Sequence, residues 1–171
     1  LLLVKNTPIS QGMGKFMEVM MRALLQRVSS GSVSIDGQIT GCIKAGLVIL
    51  IGVGKDDGQS DVDYLVRKTA NLRIFADEKG KMNLSIKDIA GEALVISQFT
   101  LYADTSRGNR PGFESAASPD LAKQLYLQYI NGLIKEGIKV ATGTFAASML
   151  VNIDNDGPVT IMLESPAKGG K

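Results

Sequence analysis

The chain has 171 residues and a mass of 18.2 kDa, is 44% hydrophobic and 21% charged, and carries a net charge of +2; a chain of this size buries roughly 70% of its unfolded surface and needs no disulfide or metal to hold a core. It contains no histidine and a single cysteine, Cys42, which excludes a disulfide framework, a Cys/His zinc site, and Ser-His-Asp or Cys-His catalysis. The basic excess lies in the tails, since residues 21–167 hold 15 basic and 16 acidic side chains, so any contact with nucleic acid must come from a local patch rather than from the overall field.

Residues 1–20 begin Leu1-Leu2-Leu3-Val4-Lys5 and soon meet Asn6 and Pro8, an apolar run too short for a secretory segment. They are expected to be an extension or flexible arm, residues 166–171 a solvated tail, and residues 21–165 a single domain. No stretch reaches the ~18–20 apolar residues that span a bilayer. A cytoplasmic location is expected by default, with Cys42 as a reduced, buried thiol.

Val33-Ser34-Ile35 alternates at the strand period, and Asp36-Gly37 is a hairpin turn leading to a return strand through Ile39, Gly41 and Ile43. Leu47-Val48-Ile49-Leu50-Ile51 is apolar at every position and predicts a strand covered on both faces. Ser60-Asp61-Val62-Asp63 reads as a capping box, followed by a helical stripe of Val62, Leu65, Val66, Thr69 and Leu72. Arg73-Ile74-Phe75 then leaves as a strand, and a second strand region runs from Ala93 to Leu101. Ser118-Pro119-Asp120 starts another helix, with Leu125, Tyr126, Tyr129, Ile130 and Leu133 as its buried stripe and Gly137 as its stop. Residues 139–142, 148–153 and 159–163 read as strands. Two helices among about eight strands, out of strict alternation, predict an α+β domain.

Two patterns imitate binding sites and fail on spacing. Gly54-Lys55 follows a strand, but a phosphate loop requires a glycine where Ile49 stands and a hydroxyl where Asp56 stands. Asn152, Asp154, Asp156 and Gly157 resemble the start of a calcium loop, but its twelfth position is Leu163. Asp56, Asp57, Asp61 and Asp63 are expected to be a solvated helix entry. No metal ligand set is expected.

Two segments are unusual for a purely structural domain. Ser97-Gln98-Phe99-Thr100-Leu101 ends an apolar strand with three polar side chains; buried without partners each would cost ~1–3 kcal/mol. They either satisfy the backbone locally or face a cavity. Asn155-Asp156-Gly157-Pro158-Val159-Thr160 places Gly-Pro between two strands, which is either a plain turn or a cis corner presenting fixed carbonyls.

From Met21 to about Ser165 the chain resembles the D-aminoacyl-tRNA deacylase family. The resemblance is carried in order by Arg27-Val28, Leu72-Arg73-Ile74-Phe75, Ser97-Gln98-Phe99-Thr100-Leu101, Arg107-Gly108-Asn109-Arg110-Pro111-Gly112-Phe113, Thr142-Gly143-Thr144-Phe145-Ala146-Ala147-Ser148-Met149 and Asn155-Asp156-Gly157-Pro158-Val159-Thr160. It implies layered or barrel-like sheets, antiparallel or mixed, with two main helices. It also implies a homodimer with two equivalent interface sites that hydrolyse the ester between a D-amino acid, or glycine on tRNA-Ala, and the 3′-terminal adenosine of tRNA. No cofactor is implied, and the partners are aminoacylated tRNA and a second copy, with neither membrane nor DNA.

By the same resemblance Ser97, Gln98, Phe99 and Thr100 line one protomer's site, with Thr100 placing substrate or water and the N–H groups near Phe99 and Thr100 stabilising the oxyanion. Gly157 and Pro158, joined by a cis bond and flanked by Val159 and Thr160, reach in from the other protomer and exclude L side chains. Phe145 and Met149 either wall the adenine or side-chain pocket or simply pack the core. Arg107 and Arg110 either touch phosphates near the CCA end or serve solubility. Two further readings are a non-catalytic tRNA-binding dimer of the same fold and a structural β-rich oligomer; the latter leaves Ser97, Gln98 and Thr100 with no cavity to face.

Overall fold

A computed structural model of the chain describes residues 20–167. The expected N-terminal extension, Met20 excepted, and the tail beyond Ala167 lie outside the described residues. The elements are β1 (Arg22–Ile35), β2 (Gln38–Ile43), β3 (Gly46–Gly52), α1 (Gln59–Asn71), β4 (Phe75–Ala76), β5 (Met82–Leu84), β6 (Glu92–Ser97), a 3₁₀ turn (Phe99–Tyr102), α2 (Pro119–Lys135), β7 (Lys139–Thr142) and β8 (Leu150–Glu164).

Strand β1 organises the sheet. Its first half pairs antiparallel with β3, from Arg22↔Gly52 to Val28↔Gly46, and its second half with β2, from Gly31↔Ile43 to Ile35↔Gln38. The turn between β1 and β2 has positive φ at both Asp36 (49°) and Gly37 (80°), as a two-residue hairpin of matching twist requires. On its other edge β1 pairs with β8 along its length. Strands β6 and β7 add in parallel to β3, giving the order β2-β1-β3-β6-β7. The sheet curls until β2 and β7 lie against each other, which nearly closes a barrel. The α+β expectation and the barrel-like sheet with two main helices describe this architecture.

Alternate residues of β3 and β6 feed two cores, as the unbroken apolar run of β3 predicts. Leu47, Ile49, Ile51, Ala93 and Val95 face the helices and pack with Val62, Leu65, Leu125, Tyr129 and Leu133. Val48, Leu94 and Ile96 face the barrel interior with Val28, Val33 and Ile43.

The structure corrects several local expectations. Strand β6 ends at Ser97 rather than Leu101, because β3 itself ends at Gly52 and the last bond to it is Gln98 N–H to Ile51 O at 2.7 Å. Without a partner strand the chain coils into the 3₁₀ turn. The cap of helix α1 lies two residues before Ser60: Gly58 caps a helix that begins at Gln59, and the Asp61 carboxylate accepts the Gly58 N–H at 2.9 Å. Asp57 and Asp61 are buried rather than solvated, and Asp57 takes the Gly54 N–H at 2.6 Å. Cys42 is exposed, not buried, because the strand alternation turns Ile43 inward and Cys42 outward. Residues 150–164 form one strand rather than two. Between the pairs Val28↔Asn155 and Gln26↔Thr160, the single residue Arg27 faces four residues of β8, so residues 156–159 bulge out of the ladder. The Gly157–Pro158 peptide within this bulge is cis.

Between the two helices the hydroxyls of Thr69 and Tyr129 meet at 2.7 Å, both fully buried, and burial pushes the Tyr129 phenol well above its ordinary value. Thr69→Val strands the tyrosine hydroxyl and should lower stability by ~1–3 kcal/mol, whereas the double variant T69V/Y129F should recover most of the loss. Urea midpoints at unchanged m-value check this. Glu92 accepts from Lys139 Nζ at 2.6 Å and from the Lys44 N–H at 2.9 Å, and these bonds hold its carboxyl below the ordinary 4.5. A carboxyl lowered by folding adds stability that is full above its unfolded pKa and is lost as the pH falls through the folded one. Glu92→Gln should therefore lower the melting temperature at pH 7, by the equivalent of at most about 1 kcal/mol given the exposed lysine, with the gap to the unsubstituted protein narrowing below pH 4.5.

Candidate active site

Strands β3 and β6 run parallel and end together, with Ile51 opposite Ser97. The carboxyl ends of parallel strands are where backbone groups become available to a ligand, and a cavity of about 440 Å³ opens there. Ser97, Gln98 and Phe99 form one wall; Phe113, Tyr126 and Phe145 supply the aromatic remainder; Val53, Ala116, Ala117 and Ala122 complete the apolar lining. Phe99 is 58% exposed, and its ring meets Phe113 edge-on at 5.0 Å. The Tyr126 ring leans on Phe145 at 5.8 Å, and its hydroxyl donates to Val95 O at 2.8 Å. Burial pushes the Tyr126 phenol up to about 12, so it stays a neutral donor.

Of the residues singled out from the sequence, Ser97, Gln98, Phe99 and Phe145 line this cavity. Thr100 follows directly and is exposed; its hydroxyl accepts a hydrogen bond from the Gln98 side-chain amide. Among the described residues the N–H groups of Phe99 and Thr100 donate to no other group, whereas Leu101 N–H returns to Gln98 O at 3.4 Å and Ala103 N–H to Thr100 O at 3.0 Å. Met149 does not line the cavity but packs against the barrel-side core. Arg107 and Arg110 are exposed on a hairpin closed by two bonds between Asp104 and Gly112, at 2.8 and 2.9 Å. Phe113 at the end of that hairpin ties it to the cavity wall.

Gly157 and Pro158 lie elsewhere: they are exposed and do not line the cavity of their own chain. Arg27 holds the corner, donating from Nε to Asp156 O at 2.9 Å and from Nη1 to Ile74 O at 2.7 Å. Asn155 braces it from below, accepting the Val159 N–H at 2.7 Å and donating to Thr160 Oγ1 at 3.0 Å. Val159 is buried in the helix-side core, and Thr160 is exposed. Gly157 has φ +139°, and a Cβ there would fall 2.7 Å from Val159 Cγ2, so only glycine fits this corner undistorted.

Phe113, Tyr126, Arg27 and Asn155 stand in the sequence as loop, helix-stripe and motif residues, without a site role attached to them. Phe113 ends the arginine-bearing loop, Tyr126 lies in the helix stripe, and Arg27 interrupts an apolar strand. Nothing in the sequence distinguishes Ala146, which lines the cavity with φ 63°. Among the described residues no three His, Cys, Asp or Glu side chains converge as a metal site, and no helix is long and apolar enough to cross a membrane.

The profile of the D-Tyr-tRNA(Tyr) deacylase family matches residues 24–164. A protein of Thermosipho melanesiensis named D-aminoacyl-tRNA deacylase is 56% identical over 146 residues, and one of the same name from Clostridioides difficile is 55% identical over 145; each alignment covers 85% of this chain and 97% of the relative. The solved structure of a "c-Myc DNA Unwinding Element Binding Protein" superposes with a TM-score of 0.80 at 40% identity, over 85% of this chain and 99% of its own. A "probable eukaryotic D-amino acid tRNA deacylase" shares the fold with a TM-score of 0.73 at 16% identity and the same coverage. A family match over nearly the whole described chain, together with relatives more than half identical, establishes that this chain belongs to the D-Tyr-tRNA(Tyr) deacylase family, a family of hydrolases.

Proposed function

We propose that the chain hydrolyses the ester joining a D-amino acid, or glycine on tRNA-Ala, to the 3′-terminal adenosine of tRNA, releasing the free amino acid and tRNA in the cytoplasm. The observation that carries this reading is the pair of adjacent N–H groups at Phe99 and Thr100 that bond to no other group among the described residues, on the polar rim of an otherwise apolar cavity. In this reading the adenosine enters among Phe113, Tyr126 and Phe145, and Ser97 and Gln98 orient it. A water oxygen attacks the ester carbonyl carbon, and the two N–H groups take up the charge on the carbonyl oxygen, a contribution of ~3–4 kcal/mol per well-placed donor. Collapse breaks the bond to O3′, which leaves with a proton. The neighbouring ribose 2′-hydroxyl assists the water, and an aminoacyl ester is activated enough for this help to suffice. In this reading Thr100 places substrate or water rather than attacking the ester; its hydroxyl accepts from the Gln98 side-chain amide, a donor and not a base, which supports that role.

Chirality is selected across a homodimer. The Gly157-Pro158 corner of one protomer enters the other's cavity, where its carbonyls hold the substrate α-amino group and occupy the space an L side chain needs; glycine, with no side chain, passes. The exposure of the corner and its absence from its own chain's cavity support this arrangement. Arg107 and Arg110, tethered beside the cavity through Phe113, contact phosphates near the CCA end. The neighbour named for a DNA unwinding element raises a DNA-binding reading. With 15 basic against 16 acidic residues over positions 21–167, the body lacks the positive field that duplex binding draws on.

Purified protein should release tyrosine from D-Tyr-tRNA and leave L-Tyr-tRNA intact, whereas a non-catalytic tRNA-binding dimer would release neither. Thr100→Ala should keep tRNA affinity and lose ~10²-fold or less in turnover, as expected for misplaced rather than missing chemistry; complete loss of turnover would mark Thr100 as the nucleophile instead. Gly157→Ala displaces the corner through the Val159 clash and should raise L-Tyr-tRNA hydrolysis relative to D, read as the ratio of the two rates. An unchanged ratio would remove the corner from the selection.

A further inference from the structure

We propose that Arg22 is a positioning residue for hydrolysis: held by Glu164, it sets the turn that carries the Phe99 and Thr100 N–H groups. This rests on the reading of those two groups as the donors to the oxyanion. The turn is only four residues long and is closed unevenly: Ala103 N–H reaches Thr100 O at 3.0 Å, but on the side that carries the two donors Leu101 N–H to Gln98 O is stretched to 3.4 Å. A single 3₁₀ turn whose leading bond is this long holds two donors in fixed directions better when it is tied from outside. Its leading end is tied by Gln98 N–H to Ile51 O at 2.7 Å. Its underside rests on Gly52, where a Cβ would meet Tyr102 Cε2 at 3.0 Å and Leu101 Cβ at 3.1 Å.

Arg22 ties the trailing end. It begins β1, opposite both Gly52 and Glu164. Its Nη1 donates to Leu101 O at 2.7 Å, its Nε to Glu164 Oε1 at 3.0 Å, and its guanidinium lies 4.8 Å from the centre of the Tyr102 ring. Its side chain is 16% exposed. These donors are engaged and turned inward, so Arg22 is not arranged as a ligand for tRNA phosphate. The Tyr102 hydroxyl bonds in turn to Met20 O and, at 3.4 Å, to Asp57 Oδ2. The ring under the guanidinium is therefore itself fixed. One planar fork donates in two directions while lying over a ring, which a lysine cannot reproduce in full.

The test compares the unsubstituted protein with Arg22→Met, Arg22→Lys and Glu164→Gln, measuring kcat and KM on D-Tyr-tRNA, melting temperature, and backbone ¹⁵N order parameters. Arg22→Met should lower kcat ~10–100-fold with KM within about twofold, and the Phe99 and Thr100 order parameters should fall from about 0.85 to below about 0.6 while β3 and α2 keep theirs. Arg22→Lys should regain part of the lost kcat, and Glu164→Gln should give a smaller loss that does not add to that of Arg22→Met. An unchanged kcat, or a raised KM at constant kcat, in folded variants would overturn the proposal, as would unchanged order parameters at Phe99 and Thr100. If Arg22→Met does not fold, Arg22→Lys and Glu164→Gln decide by the same two readouts. Failure of the unsubstituted protein to release D-tyrosine would overturn the functional reading alone, and the order parameters would still decide whether Arg22 sets the turn.

Discussion

Strands β3 and β6 are buried on both faces, with Ile49 and Val95 against the helices and Val48 and Leu94 inside the barrel. A strand in that position has no face left for polar chemistry, because a lone polar group on either side loses its water and gains nothing in exchange. Only its ends are open. The sheet therefore confines polar side chains to where the ladder stops, and Ser97, Gln98 and Thr100 occupy that place, one after another, as the parallel pairing runs out beyond Ile51. The helix-side core supplies the rest of the cavity without dedicated residues: Tyr126 and Phe145 pack on one side and present an aromatic surface on the other.

In the proposed reading the site works with dipoles rather than titrating groups. The chain has no histidine, and among the cavity-lining residues the ionisable one is Tyr126, whose proton burial retains. What remains is main chain. Backbone N–H groups do not change charge with pH and need no reorganisation when an oxyanion forms between them, provided the backbone is already in place. The energetic demand on such a site falls on geometry, and so on whatever holds a short turn still.

The sequence made the architecture legible wherever a pattern has one physical cause. The unbroken apolar run of Leu47 to Ile51, short and rich in β-branched residues, fits a strand with two covered faces, and Asp36-Gly37 is a strong signal for reversing the chain. The polar triplet of Ser97, Gln98 and Thr100 left local satisfaction and a cavity equally open, and the structure shows both: Ser97 and Gln98 line the cavity, while Thr100 accepts from the Gln98 amide. Patterns with several causes were misplaced. Ser60 has a capping hydroxyl, but Asp57 fixes the preceding turn by taking the Gly54 N–H, and that makes Gly58 the cap of a helix beginning at Gln59. Leu101 has strand propensity, but no neighbouring strand extends that far to pair with it. Cys42 has the composition of a core residue and lies on the outer side of an alternating strand. The roles of Arg27 and Arg22 could not be read from spacing, because the irregular segments they hold are reached through main-chain carbonyls distant in sequence, and a carbonyl has no residue type.

Those two arginines share one logic. Both project from β1, five positions apart, with side chains 16% and 13% exposed, and each has a carboxylate beside it, Glu164 for Arg22 and Asp156 for Arg27. Each donates to carbonyls of irregular segments: Leu101 for Arg22, Ile74 and Asp156 for Arg27. A guanidinium suits this work because it keeps its charge at any working pH and offers donors in fixed directions. Five residues of extended strand span ~17 Å, so β1 spaces the two arginines, one beside the polar turn and the other beside the Gly157-Pro158 corner, which does not line its own chain's cavity. In the dimeric reading the same strand that spaces the two arginines in each protomer keeps the turn and the corner in register across the pair, and the length of β1 between Arg22 and Arg27 becomes part of the geometry that decides which enantiomer is cleaved.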